Sequence, residues 1–162
     1  MKRLFIAGIV VLMAAGGVQA QSNTIVGKWK IASLQGGGLS LDLENPENTR
    51  KALSEQIAKE SGKPADSATV AQTLTMFTTM FENMSLEFTS DGKGIYKMGD
   101  GMGGVKSDTA TYTVDYAKGI VKTVSKEEGQ AKNEEMTIKF EGDYLTMVKV
   151  TDGETVKLRR VK

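Results

Sequence analysis

Met136-Thr137-Ile138-Lys139-Phe140-Glu141-Gly142-Asp143-Tyr144-Leu145-Thr146-Met147-Val148-Lys149 is the stretch that decides the fold class. Met136, Ile138 and Phe140 alternate with Thr137, Lys139 and Glu141, the period of two that lines one face of a strand with apolar side chains. Gly142-Asp143 supplies a turn, and Tyr144 to Thr151 reads as the returning strand. The same grammar extends on both sides. Upstream, Met84, Leu86 and Phe88 alternate with Ser85, Glu87 and Thr89 before Asp91-Gly92, and Gly94 to Met98 returns. Asp108 to Tyr116 places Ala110, Tyr112, Val114 and Tyr116 on one face. Lys118-Gly119 turns into Ile120 to Lys126, and a polar connection, Lys126 to Lys132, leads back to Met136. Downstream, Asp152-Gly153 turns into Glu154 to Val161. Successive strands joined by tight turns make a meander, and closing it removes its exposed edges. The expected fold is mainly β, an antiparallel up-and-down β-barrel of about eight strands, with eight or nine legible.

Ahead of the meander, Thr24 to Leu34 reads as the first strand, with Ile25, Gly27, Trp29 and Ile31 on one face. Gln35-Gly36-Gly37-Gly38 breaks it, and Leu39, Leu41 and Leu43 suggest a short second strand. A two-helix insert is expected over about 45–83. Asn45 is placed to cap a helix, Pro46 suits its first position, and Glu47 favours the positive end of its dipole. Glu47 with Lys51 and Glu55 with Lys59 stand four apart, Leu53 and Ile57 give a narrow apolar stripe, and Gly62 is a stop. A second helix is expected from about Ser67 to Asn83, with Val70, Leu74, Phe77 and Phe81 on one face, widened by Met76, Met80 and Met84. Its threonines (Thr69, Thr73, Thr75, Thr78, Thr79) lower helix propensity and leave a strand as the alternative.

The N-terminus reads as an export signal. Lys2 and Arg3 precede an apolar run from Leu4 to Ala15, and Val18 and Ala20 are short residues at the positions read before cleavage at Ala20/Gln21. A spanning helix needs about 20 apolar residues, and this run is shorter and broken by Gly16-Gly17. The expectation is residues 1–20 as a cleaved signal and 21–162 as one domain, periplasmic or secreted. No cysteine follows the run, so a lipoprotein anchor is not expected. The full chain carries 21 basic and 20 acidic residues; without Lys2 and Arg3, 19 stand against 20, a net of −1. That balance, without a basic block, argues against nucleic acid as partner. With no cysteine and no histidine, thiol chemistry and Ser-His-Asp or Cys-His devices cannot be built. No enzyme activity, cofactor or metal is expected.

Gly27-Lys28-Trp29, within Ile25-Val26-Gly27-Lys28-Trp29-Lys30-Ile31, and the terminal Val156-Lys157-Leu158-Arg159-Arg160-Val161 carry a resemblance. Together with the meander they resemble the lipocalin-like (calycin) proteins, exported members of bacterial type included. The resemblance implies that Trp29 closes one barrel end against a basic residue of the last strand. Arg159 and Arg160 are the candidates, and alternation with Val156 and Leu158 favours Arg160; an arginine over an indole is a favourable cation–π contact. The helical insert is similar to that of fatty-acid-binding proteins, where two helices lid the barrel mouth. The C-terminal Arg-x-Tyr pair of that family is absent here, so its lipid-carboxylate site does not transfer.

Two functions follow as expectations. The first is binding of a small hydrophobic or amphipathic ligand in or at the mouth of the barrel, with Tyr96, Met98, Tyr112, Met136, Phe140 and Met147 as lining residues. Methionine adapts to irregular apolar shapes, and a buried phenol needs a partner. The second is a filled barrel acting through its surface as an inhibitor or envelope adaptor. Gly99-Asp100-Gly101-Met102-Gly103-Gly104 satisfies G-x-G-x-x-G, but a strand rather than a helix follows, so it reads as a hairpin loop. Glu127-Glu128 and Glu134-Glu135 read as solvated charges. Asp91, Asp143 and Asp152 read as turn residues beside glycine.

Overall fold

The computed structural model describes residues 24–99, 104–127 and 130–162. The expected signal segment and its cleavage point lie outside the described residues, as do Asp100 to Gly103 of the glycine-rich loop and Glu128. Among the described residues, nine strands and two helices follow one another as β1 (Gly27–Gly36), β2 (Leu39–Asp42), α1 (Pro46–Ser61), α2 (Ser67–Glu82), β3 (Ser85–Phe88), β4 (Lys93–Gly99), β5 (Val105–Asp115), β6 (Ile120–Glu127), β7 (Gln130–Glu141), β8 (Tyr144–Lys149) and β9 (Thr155–Arg160). Every pairing is antiparallel, and β1 pairs with β9, so β1 and β3 to β9 close an eight-stranded barrel. The ninth strand, β2, is an addition.

The way β2 joins sets the shape of the barrel. One edge of β1 is taken by β9 from Trp29 to Gln35. The other edge is shared: Gly27 to Trp29 pair with β3, and Ser33 to Gly36 pair with β2. β3 thus leaves β1 after a single turn of pairing, and the insert occupies the gap between them in sequence. A β-bulge at Ala32, between Ile31 opposite Leu158 and Ser33 opposite Lys157, shifts the alternation of β1. Leu34 thereby comes opposite Val156 and shares the inward face with Trp29 and Ile31. A strict period of two from Trp29 would have placed Ser33 there.

Two cores result. The barrel core gathers Ile25, Trp29, Phe88, Val121, Leu145, Met147 and Leu158. The insert core gathers Leu41, Leu53 and Val70, with Leu34, Leu39, Leu43, Ile57, Leu74, Phe77 and Phe81 against it. α1 begins where Asn45 accepts a hydrogen bond from the Asn48 amide and stops at Gly62, which takes the left-handed conformation at φ +68°. Of the helix-surface charges, Glu47 pairs with Arg50 at 3.7 Å. The threonines of α2 fit a helix because Thr73 and Thr75 donate their hydroxyls to the carbonyls of Thr69 and Ala71 one turn back. Thr49 is buried at 1% exposure and locks α1 to the end of β2. Its hydroxyl donates to the Asp42 carbonyl at 2.6 Å and accepts from the Asp42 amide at 2.9 Å.

The segment from Lys126 to Lys132, expected as a connection, is largely strand. β6 runs to Glu127 and β7 restarts at Gln130, with Ser125 opposite Lys132 and Lys126 opposite Ala131. Backbone pairing here continues past the last apolar residue, because a barrel rim needs no buried side chain to hold its ladder.

Candidate functional site: a closed end and an open end

One end of the barrel is sealed by three residues that fit one another. Trp29 is 1% exposed and donates its indole N–H to the Ile25 carbonyl at 2.7 Å, so its polar atom is satisfied inside the core. Opposite it on β9, Arg160 lays its guanidinium over the indole, Cζ lying 4.2 Å from the ring centre. The same guanidinium donates to the carbonyls of Val26 at 2.9 Å and Thr24 at 2.5 Å. Gly27 makes room for this. Its φ is +134°, and a Cβ there would stand 2.8 Å from Arg160 Nη1. The neighbouring Arg159 points away, to Glu44 at 3.2 Å. Tyr116 lies just beyond β5 and is exposed; its hydroxyl accepts from the Ile25 amide at 3.2 Å, tying the chain across this end.

The other end is hollow. A cavity of about 660 Å³ opens among Ile31, Leu34, Met84, Leu86, Phe88, Tyr96, Ala110, Tyr112, Met136, Met147, Val156 and Leu158, with a polar rim of Asp108, Thr123, Ser125, Lys126, Lys132 and Glu134. Neither Trp29, Ile25 nor Leu145 lines it: they form the packed floor below. The volume falls within the range of small-molecule pockets, about 300–1,000 Å³, and an eight-stranded barrel is about the size that holds one ligand.

Tyr96, Tyr112, Met136 and Met147 all line this cavity, while Met98 and Phe140 do not. Phe140 pairs with Leu145 and packs on the floor. Met98 lies two residues beyond Tyr96, and its sulfur accepts the Tyr96 hydroxyl at 3.6 Å. The two tyrosines differ. Tyr112 donates its hydroxyl to the Thr89 carbonyl at 2.7 Å and sets its ring edge-on to Phe88, with centroids 5.0 Å apart. Burial foremost, then the charges of Tyr116 and Asp91, push its phenol above the ordinary tyrosine range. It offers the cavity a ring. Among the described residues the Tyr96 hydroxyl has only the thioether as hydrogen-bond partner, and burial, then the Asp108 charge, push its phenol up as well. It offers the cavity a proton-bearing hydroxyl.

The rim charges escaped the sequence reading. Glu134 faces inward and meets Lys132 at 3.6 Å and Lys149 at 3.8 Å, while Glu135 on the opposite face pairs with Lys122 at 3.1 Å. Lys149 also holds Asp152 at 2.7 Å and Glu154 at 3.7 Å. The only signal available was parity: Asp108 and Ala110, or Glu134 and Met136, stand two apart on one face. No residue of α1 or α2 lines this cavity among the described residues. The Val70, Leu74, Phe77 and Phe81 face packs into the insert core with Leu53 of α1 and Leu41 of β2 instead, and Leu74, Phe77 and Phe81 border a separate groove of about 480 Å³ beside the barrel wall. No helix among the described residues is long and apolar enough to cross a membrane.

A scan against protein-family models and a search of curated proteins each found no match. Among solved structures, the chain is similar to a DUF4847 family protein from Bacteroides vulgatus ATCC 8482, at 10% identity and a TM-score of 0.55, over 84% of this chain and 93% of that one. The likeness is one of fold alone.

Proposed function

We propose that this is an exported, lipocalin-like binding protein that takes a small amphipathic ligand into the open end of its barrel and carries out no chemistry on it. The observation that supports the reading is the contrast between the two ends. The floor is packed around Trp29, whereas about 660 Å³ above it is bounded by flexible and aromatic side chains. A filled barrel acting through its surface would have no reason to leave that volume apolar below and polar at the rim. Export rests on Lys2, Arg3 and the apolar run to Ala15.

Native mass spectrometry of protein purified from its own host tests this. The expected result is a mature mass beginning at Gln21 with a co-purified small molecule that organic solvent removes. A clean apo mass, with no thermal stabilisation across lipids and small hydrophobes, would leave the surface-acting barrel as the better account.

A further inference from the structure

We propose that the ligand's head group is a cation, specifically the ammonium of an aliphatic amine, held by Asp108 beside Tyr96 at the cavity mouth. This rests on the binding function proposed above and names the class of ligand. The argument is a census of charges around one opening. Glu134 is neutralised by Lys132 and Lys149, and Lys149 is itself held by Asp152 and Glu154. Lys126, next to Ser125 on β6, also lines the rim, but it stands on the far side of β5 from Tyr96. Asp108 is different. It stands opposite Tyr96 and two residues before Ala110, on the inward parity of β5, and it lines the cavity. It makes no hydrogen bond or ion pair with any described residue.

An unpartnered carboxylate at the mouth of an apolar cavity selects for a charged donor and against an anion. The Tyr96 hydroxyl lies on the neighbouring strand, donating among the described residues only to a thioether, and its oxygen can accept a second N–H from the same ammonium. Below this pair, Ala110, Tyr112, Met136 and Met147 provide the apolar volume for a chain. The arrangement fits a single-tailed amine with its nitrogen at the rim.

Isothermal titration at neutral pH with nonylamine, nonanol and nonanoate, which share a tail and differ in head, tests the assignment. Nonylamine is expected to bind about tenfold more tightly than nonanol, and nonanoate more weakly than either. Asp108→Asn should bring the amine to within about threefold of the alcohol while the thermal midpoint holds, because the side chain is exposed. Equal binding of all three, tightest binding of nonanoate, or an amine preference that survives Asp108→Asn would overturn the head-group assignment alone. Failure of all three ligands, nonanol included, would overturn the binding function together with it.

Discussion

The two ends of this barrel are made by the same strands and differ in what those strands carry. At the closed end, β1 and β9 contribute Gly27, Trp29 and Arg160, three residues whose shapes are mutually dependent. At the open end, the strands that continue upward carry Tyr96, Asp108, Ser125, Lys132 and Glu134, which border an unfilled cavity. The difference separates stability from function. Close-packed aromatic and aliphatic contacts hold the barrel shut below, and that leaves the upper layer free to stay unfilled without endangering the fold.

Mutations at the two ends should therefore behave unlike each other. The largest effect is expected for Trp29→Ala, which removes the most buried aromatic and leaves Arg160 without its platform. A loss of about 3–5 kcal/mol is expected in urea unfolding, and ligand affinity in the surviving folded fraction should change little. Leu145→Ala, on the floor at 0% exposure, should cost about 2–5 kcal/mol. Met136→Ala faces an existing void and should cost about 1 kcal/mol, because no new cavity is made. Equal costs at these two positions would mean that the upper layer is as tightly filled as the floor.

Gly27→Ala sharpens the account of the closed end. The added methyl meets the Arg160 guanidinium and the backbone sits at φ +134°, so about 1–3 kcal/mol of destabilisation is expected. Adding Arg160→Met should relieve the collision but not the backbone strain, and the pair should be less than additive.

Acidification should distinguish the insert from the barrel floor by a smaller margin. The Asp66 carboxyl caps α2 and is held below the ordinary aspartate range, first by the Thr69 amide and then by its hydroxyl. A depressed folded-state value stabilises fully above the unfolded value near pH 4 and is lost as pH falls through the folded one. The Trp29–Arg160 contact involves no carboxyl. Amide exchange in α2 should therefore rise on acidification before exchange in β1 and β9 does.

Most of the barrel was legible because apolar and polar residues alternate along Met84 to Thr89, Ala110 to Tyr116 and Met136 to Glu141, with glycine or aspartate at the turns between strands. The Trp29–Arg160 closure was legible through resemblance and parity together. The bulge at Ala32 was not, since nothing in Ile31-Ala32-Ser33 marks one extra residue in the ladder. The rim strands were masked by polarity: Lys126 to Lys132 looks like a loop when only side chains are read. Asp108 was hidden for the same reason, because a charged residue near a strand start looks solvated until the barrel closes and shows which way it faces. Phe140 was misplaced by one layer, a distance that periodicity does not encode.

The measurement that bears most directly on the hollow end is binding by a variant that fills it. Ala110 is half-buried, faces inward and lines the cavity, so Ala110→Trp should occupy much of the volume that a ligand needs. Titration of nonanol into both proteins is predicted to show saturable, single-site binding to the natural sequence and none to Ala110→Trp, with the variant's unfolding midpoint close to the original. Binding that persists unchanged in the variant would place the ligand elsewhere on the molecule and contradict the account.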